Sequence, residues 1–372
     1  MFNRLRTVVA AAMLTVATYA AAVEMAGDHP DTYVVRKGDT LWDIAGRFLG
    51  KPWLWPEIWQ ANPQVQNPHL IYPGDVLSLA YLDRVGVQPG PRQEAPIDAI
   101  PLAEVEPFLK NLRVVDSFKE LPYVVGFEDN RLRGSDGQLA YVKGLAGAQS
   151  GQRYAVVRPT VRFALPRLAE DLDARGDVTP GTGNLWKDYV APDARRESLG
   201  YELAQVNVGT ITGGNAEVST LLLQDSGREV RAGDRLIAVQ AQPYDLQFVP
   251  HPPSAQAAEA QLRVLAVADT FTSGGPRDVI AISGGSREGI DNGTVFSIWR
   301  QGSRASDRIA HKHFSRADDG YTGGKQTTVG LPDEYAAHAM VFRTYDKVSY
   351  ALVMEGVKPA RVGYALKHPD AQ

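Results

Sequence analysis

Tyr33-Val34-Val35-Arg36-Lys37-Gly38-Asp39-Thr40-Leu41-Trp42-Asp43-Ile44-Ala45-Gly46-Arg47-Phe48-Leu49 is the stretch that decides how the N-terminal part of the chain folds. Its first three residues alternate and favour a strand, and Lys37-Gly38-Asp39-Thr40 turns the chain. From Leu41 the period becomes helical, with Leu41, Ile44, Ala45 and Phe48 on one face. Asp39 and Thr40 are both N-cap candidates, because their side-chain oxygens can meet the free N–H groups of that helix. Gly50-Lys51-Pro52 stops it. Trp55, Ile58, Trp59 and Asn62 describe a second short helix closed by Pro63, and Pro68 keeps the next stretch extended. Ile71-Tyr72-Pro73-Gly74-Asp75-Val76-Leu77-Ser78-Leu79 reads as a turn and a strand, so residues 33–79 predict strand, helix, helix, strand. Four of the six tryptophans, Trp42, Trp53, Trp55 and Trp59, fall inside this stretch, which marks a small tight core or a binding face.

Three motifs, Tyr33-x-Val35-x-x-Gly38-Asp39-Thr40-Leu41-Trp42-x-Ile44-Ala45, Ile58-Trp59-x-Ala61-Asn62-Pro63 and Ile71-x-Pro73-Gly74-Asp75-x-Leu77, together resemble a LysM domain. The resemblance implies a βααβ module over residues 31–80 that binds an N-acetylglucosamine-containing glycan, here peptidoglycan. It also implies a shallow groove between the loop after the first strand and the loop before the last. Carried onto this sequence, the groove takes Gly38, Asp39, Thr40 and Leu41 from the first loop and Pro68, Leu70, Ile71, Tyr72 and Pro73 from the second. The chemistry suits a sugar. Gly38 lets backbone approach a ligand, Asp39 and Thr40 can hydrogen-bond, and Leu41, Ile71 and Tyr72 offer apolar surface to a ring face or an acetyl methyl. Trp42, Ile44 and Trp59 are read as core, since so small a module has little else to bury. Asp39 is divided evenly between helix cap and sugar ligand.

The chain of 372 residues contains no cysteine, and its 39 basic residues nearly balance 43 acidic ones. No disulfide framework, Cys-ligated zinc, cysteine peptidase or cysteine-linked lipid is possible. The charge balance argues against nucleic acid as a partner, because phosphate binding leaves a basic face. At the N-terminus, Arg4 and Arg6 precede an apolar run and then Thr18-Tyr19-Ala20-Ala21-Ala22, the pattern of a cleavable signal peptide over residues 1–22. The run is short for a membrane span, and no later stretch is longer. The mature chain is therefore expected to lack a transmembrane span and to reside in the periplasm.

Residues 84–107 lose the hydrophobic pattern and contain prolines 89, 91, 96, 101 and 107, as a semi-extended linker would. At about 3.1 Å per residue such a spacer reaches on the order of 70 Å. Strand signals dominate beyond it, broken again around Val249-Pro250-His251-Pro252-Pro253-Ser254. The expected fold class is α+β multidomain: the βααβ module, the proline-rich linker, and a mainly β C-terminal region in two subdomains, 108–248 and 258–368. Asp136-Gly137 is read as a hairpin turn. Tyr72-Pro73-Gly74-Asp75, Gln149-Ser150-Gly151-Gln152, Arg231-Ala232-Gly233-Asp234 and Asp291-Asn292-Gly293-Thr294 all put glycine in a turn just before a strand. They are read as turns, not as units of a repeat protein.

No catalytic, cofactor or metal residue is assigned. His311-Lys312-His313 is half of a zinc peptidase pattern, yet none of His29, His69 and His251 has aspartate four positions on. Glu197-Ser198 is like the catalytic pair of lytic transglycosylases but lacks the apolar helix that raises the pKa of such an acid. Residues 300–325 carry six Lys or Arg against three Asp, read as a solvated loop before a docking surface. A noncatalytic protein is the expectation; a peptidoglycan hydrolase with an unrecognised C-terminal site is the alternative.

Taken as a whole, signal, LysM-like module, spacer and β-rich region resemble the type IV pilus secretin-associated LysM proteins (TsaP). The residues that carry this are Leu121-Pro122-Tyr123-Val124-Val125-Gly126, Gly330-Leu331-Pro332-Asp333-Glu334, Met340-Val341-Phe342-Arg343-Thr344 and Val348-Ser349-Tyr350-Ala351-Leu352-Val353. The resemblance implies a C-terminal region similar to that of the flagellar basal-body protein FlgT, and an outer-membrane secretin as partner. A flagellar basal-body accessory is the further alternative. Val362-Gly363-Tyr364 departs from the other turns by lacking a polar residue after glycine.

Overall fold

The computed structural model describes residues 30–65, 71–79, 111–165, 198–239, 249–268, 273–306 and 328–371, apart from the single positions 146, 216, 226 and 303. The expected signal peptide and proline-rich linker, His311-Lys312-His313, Glu197 and most of the basic loop lie outside these residues. The chain divides into two compact units, residues 1–99 and 100–372.

In the first unit, β1 (Thr32–Val34) pairs antiparallel with β2 (Val76–Ser78), and α1 (Leu41–Leu49) and α2 (Trp55–Gln60) lie between them in sequence. Thr40 caps α1. Its hydroxyl accepts from the Asp43 N–H, and the Asp43 carboxylate accepts from Thr40, a reciprocal arrangement that satisfies two otherwise free donors. Gly50 ends the helix in the left-handed conformation, at φ 65°. Leu41, Trp42, Ile44, Ala45 and Leu49 are buried on one face, and Trp53, Trp55, Ile58, Ile71 and Leu77 complete the core. Trp42 and Ile44 are thus core residues, while half-buried Trp59 donates its indole N–H to the Val65 carbonyl at 2.6 Å. Asn62, fully buried, seals β2: its amide brackets the N–H and C=O of Ser78 at 2.7 and 2.8 Å and donates to Ile58 at 2.6 Å.

The second unit contains two antiparallel sheets. The first comprises β3 (Leu112–Val115), β4 (Tyr123–Phe127), β6 (Leu139–Lys143), β7 (Arg153–Phe163), β8 (Gly200–Gly214), β9 (Val218–Leu223) and β11 (Arg235–Ala238). A small ribbon of β5 (Arg133–Gly134) and β10 (Val230–Arg231) accompanies it. Because β8 pairs with both β7 and β9, the order β7-β8-β9-β6-β4-β11 returns to β7 and the sheet closes into a barrel. Val124, Phe127, Val142, Val156, Ile211, Leu221, Leu223 and Leu236 fill it.

The second sheet runs β12 (Val264–Val267), β14 (Val279–Ser283), β19 (Val348–Gly356), β18 (Glu334–Thr344), β15 (Val295–Arg300), β21 (Ala365–Lys367). It closes through Arg263 and Ala365, with Val264 N–H donating to the Tyr364 carbonyl at 2.9 Å. Two ribbons flank it, β13 (Ser273–Gly274) with β20 (Ala360–Arg361), and β16 (Arg304–Ser306) with β17 (Thr328–Gly330). Ile280, Ile282, Phe296, Ile298, Val341, Ala351 and Val353 make its core.

One local device recurs in both units. Seven turns among the described residues, 72–75, 135–138, 149–152, 231–234, 275–278, 291–294 and 361–364, share one hydrogen-bond pattern. The fourth N–H donates to the first carbonyl, and the third residue sits at positive φ, the region a type II turn needs. The third N–H donates to one residue of a neighbouring segment, whose own N–H donates back to the fourth carbonyl. Those neighbours are Val35, Leu223, Ile211, Val124, Val353, Val341 and Val264, all aliphatic and at most 2% exposed. Each turn therefore clamps a core residue as its strand begins. In six of the seven the fourth side chain also accepts from the first N–H, which explains the polar residue after the glycine. Tyr364 lacks only this side-chain bond; its backbone turn is unchanged. Asp136-Gly137 belongs to this set and is not a hairpin turn: β5 before it pairs with β10, whereas β6 after it pairs with β4 and β9.

Candidate glycan-binding site

The loop Arg36-Lys37-Gly38-Asp39 is a relative of those turns that leads into a helix instead of a strand. Asp39 N–H donates to the Arg36 carbonyl at 3.0 Å, and Arg36 N–H donates to Asp39 Oδ2 at 2.8 Å. Gly38, at φ 90°, has no atom within 4 Å of where a Cβ would stand, so its surface is open and its backbone conformation excludes most other residues.

Asp39 has a more internal role than sequence reasoning gave it. Only 8% exposed, it accepts from the Tyr33 hydroxyl at 2.6 Å and faces the Arg47 guanidinium at 3.6 Å. Arg47 donates to the Tyr33 hydroxyl at 2.7 Å and lies over its ring. Burial, and then the Asp39 carboxylate beside it, push the Tyr33 phenol above its usual range. Asp39 thus ties the loop to β1 and α1, and the cap position belongs to Thr40.

Leu41 and Ile71 are each 1% exposed, so their side chains belong to the core and are not an apolar floor for a sugar. The reason is size: with two short helices and a two-stranded sheet, every aliphatic side chain at a helix start or strand entry is needed inside. Tyr72 and Pro73 are half-buried and remain at the surface. Tyr72 N–H donates to Asp75 Oδ2 at 3.1 Å, fixing the second loop as Asp39 fixes the first. Pro68 and Leu70 lie outside the described residues. Gly38, Thr40, Tyr72 and Pro73 are therefore the expected residues that keep surface available.

Residues 33–80 match the LysM domain model. The chain contains a LysM domain. That domain indicates binding to peptidoglycan or a related carbohydrate, and it accounts for the βααβ order. Over an alignment of 60 residues the chain is also 42% identical to the uncharacterized protein YqbP of Bacillus subtilis strain 168. This match covers 13% of the present chain and 27% of YqbP, so it speaks to one module and not to either whole protein. Among the described residues, no helix is long and apolar enough to cross a membrane.

Proposed function

We propose that the protein is a noncatalytic, periplasmic peptidoglycan-binding anchor that holds an outer-membrane secretin complex of the type IV pilus kind in the cell wall. The observation that carries the glycan half is the LysM domain, with an open Gly38 turn and surface Tyr72 and Pro73 on a rigid scaffold. At Leu41 and Ile71 only main-chain groups are left for the ligand, so recognition there reads amide and hydroxyl groups by hydrogen bonding.

The secretin half is supported by the resemblance of the C-terminal motifs to the secretin-associated LysM proteins. Bivalence gives the arrangement its physical sense: a weak glycan site linked to a protein-bound site gains effective concentration from the linkage. Crosslinking of the full chain in cells tests this half. Recovery of a secretin in the crosslinked product is the expected outcome, and its absence from products that contain other envelope proteins counts against it. Incubation with sacculi tests the noncatalytic part: no muropeptide is released, and clear release overturns it.

A further inference from the structure

A corner of the first barrel gathers arginines that the glycan reading leaves without a role. The turn Arg231-Ala232-Gly233-Asp234 and its successor Arg235 line an open cleft of about 50 Å³ together with Phe118, Arg158 and Pro159. Arg158 is fixed there, its Nε and Nη2 each 2.8 Å from the two oxygens of the buried Asp234 carboxylate and its Nη2 2.9 Å from the Glu229 carbonyl. Arg235 is fixed differently. Its Nε donates to the Phe118 carbonyl at 3.2 Å and its Nη1 to the Gly233 carbonyl at 2.5 Å, and its guanidinium lies over the rings of Phe118 and Tyr123 at 5.6 and 5.2 Å, so Nη2 is the nitrogen left without a carbonyl partner.

A second observation comes from the ribbon beside the cleft. Arg231 of β10 stands directly opposite Arg133 of β5. Like charges in that relation repel, and folds do not gather them without compensation. Arg133 has its compensation in Glu229, at 2.6 Å. The exposed Arg231 guanidinium has no hydrogen-bond or ion-pair partner among the described residues, although its backbone N–H is held by Asp234 at 2.7 Å. The corner thus sets four guanidinium groups against two carboxylates, in a chain whose net charge is -4.

The geometry points to an oxyanion site at this corner, taking one carboxylate or phosphate group of a ligand between Arg231 and Arg235. The Arg231 fork matches both groups, and Arg235 adds its charge and the Nη2 donors that its two carbonyl bonds leave. Arg235 is held in place before binding by two aromatic rings, so little ordering is required of it, whereas Arg231 is the exposed arm that closes on the ligand. The cleft's volume limits it to a single anionic group with the Phe118 ring and Pro159 as an apolar wall.

Titration of the full chain with inorganic phosphate, and separately with acetate, tests this at constant ionic strength with chloride as the balancing ion. The readout is the amide resonances of Ala232, Gly233 and Arg235. Saturable shifts with phosphate or acetate are expected, and the tighter of the two assigns the group. Arg231→Gln, an exposed change that leaves the turn's backbone bonds intact, weakens that binding by about fivefold or more, the loss of one charge-assisted fork. Shifts that fail to saturate, that chloride reproduces, or that persist unchanged in Arg231→Gln overturn the proposal.

Discussion

The phenol of Tyr350 on β19 donates to the Glu202 carboxylate on β8, and Thr160 on β7 donates to the other oxygen of the same carboxylate, so one acid joins the two barrels. Tyr350 is 2% exposed, stacked beside Phe342 and edge-on to Phe163 of the first barrel. Around it, Tyr345 donates to the Leu112 carbonyl at 3.1 Å and Lys347 to Asp116 at 2.8 Å. Tyr350→Phe keeps the rings packed and leaves one oxygen of Glu202 without its donor. A loss of about 1–3 kcal/mol follows, measured by urea unfolding of the second unit's transition in the full chain, and Glu202→Gln in the Tyr350→Phe background costs less than Glu202→Gln alone, because the two changes share one bond.

The same joint gives the molecule an alkaline weakness. Burial pushes the Tyr345 phenol up to about 12, and burial, then the Glu202 charge, push Tyr350 well above the ordinary value of 10.0. Both groups bind their proton more tightly folded than unfolded. Their contribution to stability is complete below pH 10 and declines as pH rises from there through 12. Unfolding midpoints followed between pH 8 and 12 show that decline, and Tyr345→Phe makes it shallower.

Asn62→Asp tests whether donors hold β2 in the LysM module. The carboxylate keeps the size of the amide but cannot donate to Ile58 or Ser78, and it is introduced at a fully buried position. A loss of about 3 kcal/mol or more is expected, seen as a lower thermal midpoint of the tryptophan signal. A midpoint within a degree or two of the parent contradicts the assigned role.

The recurring turns separate two costs of adding a Cβ. Gly151 sits at φ 91° with nothing within 4 Å, so Gly151→Ala meets only backbone strain, about 1–2 kcal/mol. Gly293, at φ 100°, has the Val249 carbonyl oxygen 2.2 Å from the Cβ position. Gly293→Ala must also displace that backbone segment and destabilises more, by a margin that thermal unfolding of the paired variants measures.

Much of this was legible in the sequence, and the parts that were not share a cause. The change of period at Leu41, the cap at Thr40 and the glycine turns are local signals, and the helices and strand starts fall where those signals lie. Strand ends were harder to read. β7 runs on through Pro159, a residue that ordinarily ends a strand, to Phe163, because Pro159 falls at a shift in register with β8, where a missing N–H costs little. Barrel closure by Arg263 with Ala365 joins residues about a hundred positions apart, which no periodicity records. At the candidate site, residue types marked the loops, but the inward turn of Leu41 and Ile71 depends on how much the module must bury. The Tyr33, Asp39 and Arg47 clip was missed altogether, although a charged residue on the exposed side of α1 was its one visible trace.

Co-sedimentation with purified sacculi tests the central claim, that the chain holds peptidoglycan through its LysM domain. The chain is expected to pellet with sacculi, and the same chain lacking residues 31–80 is expected to stay in the supernatant. Equal pelleting of the two contradicts the account.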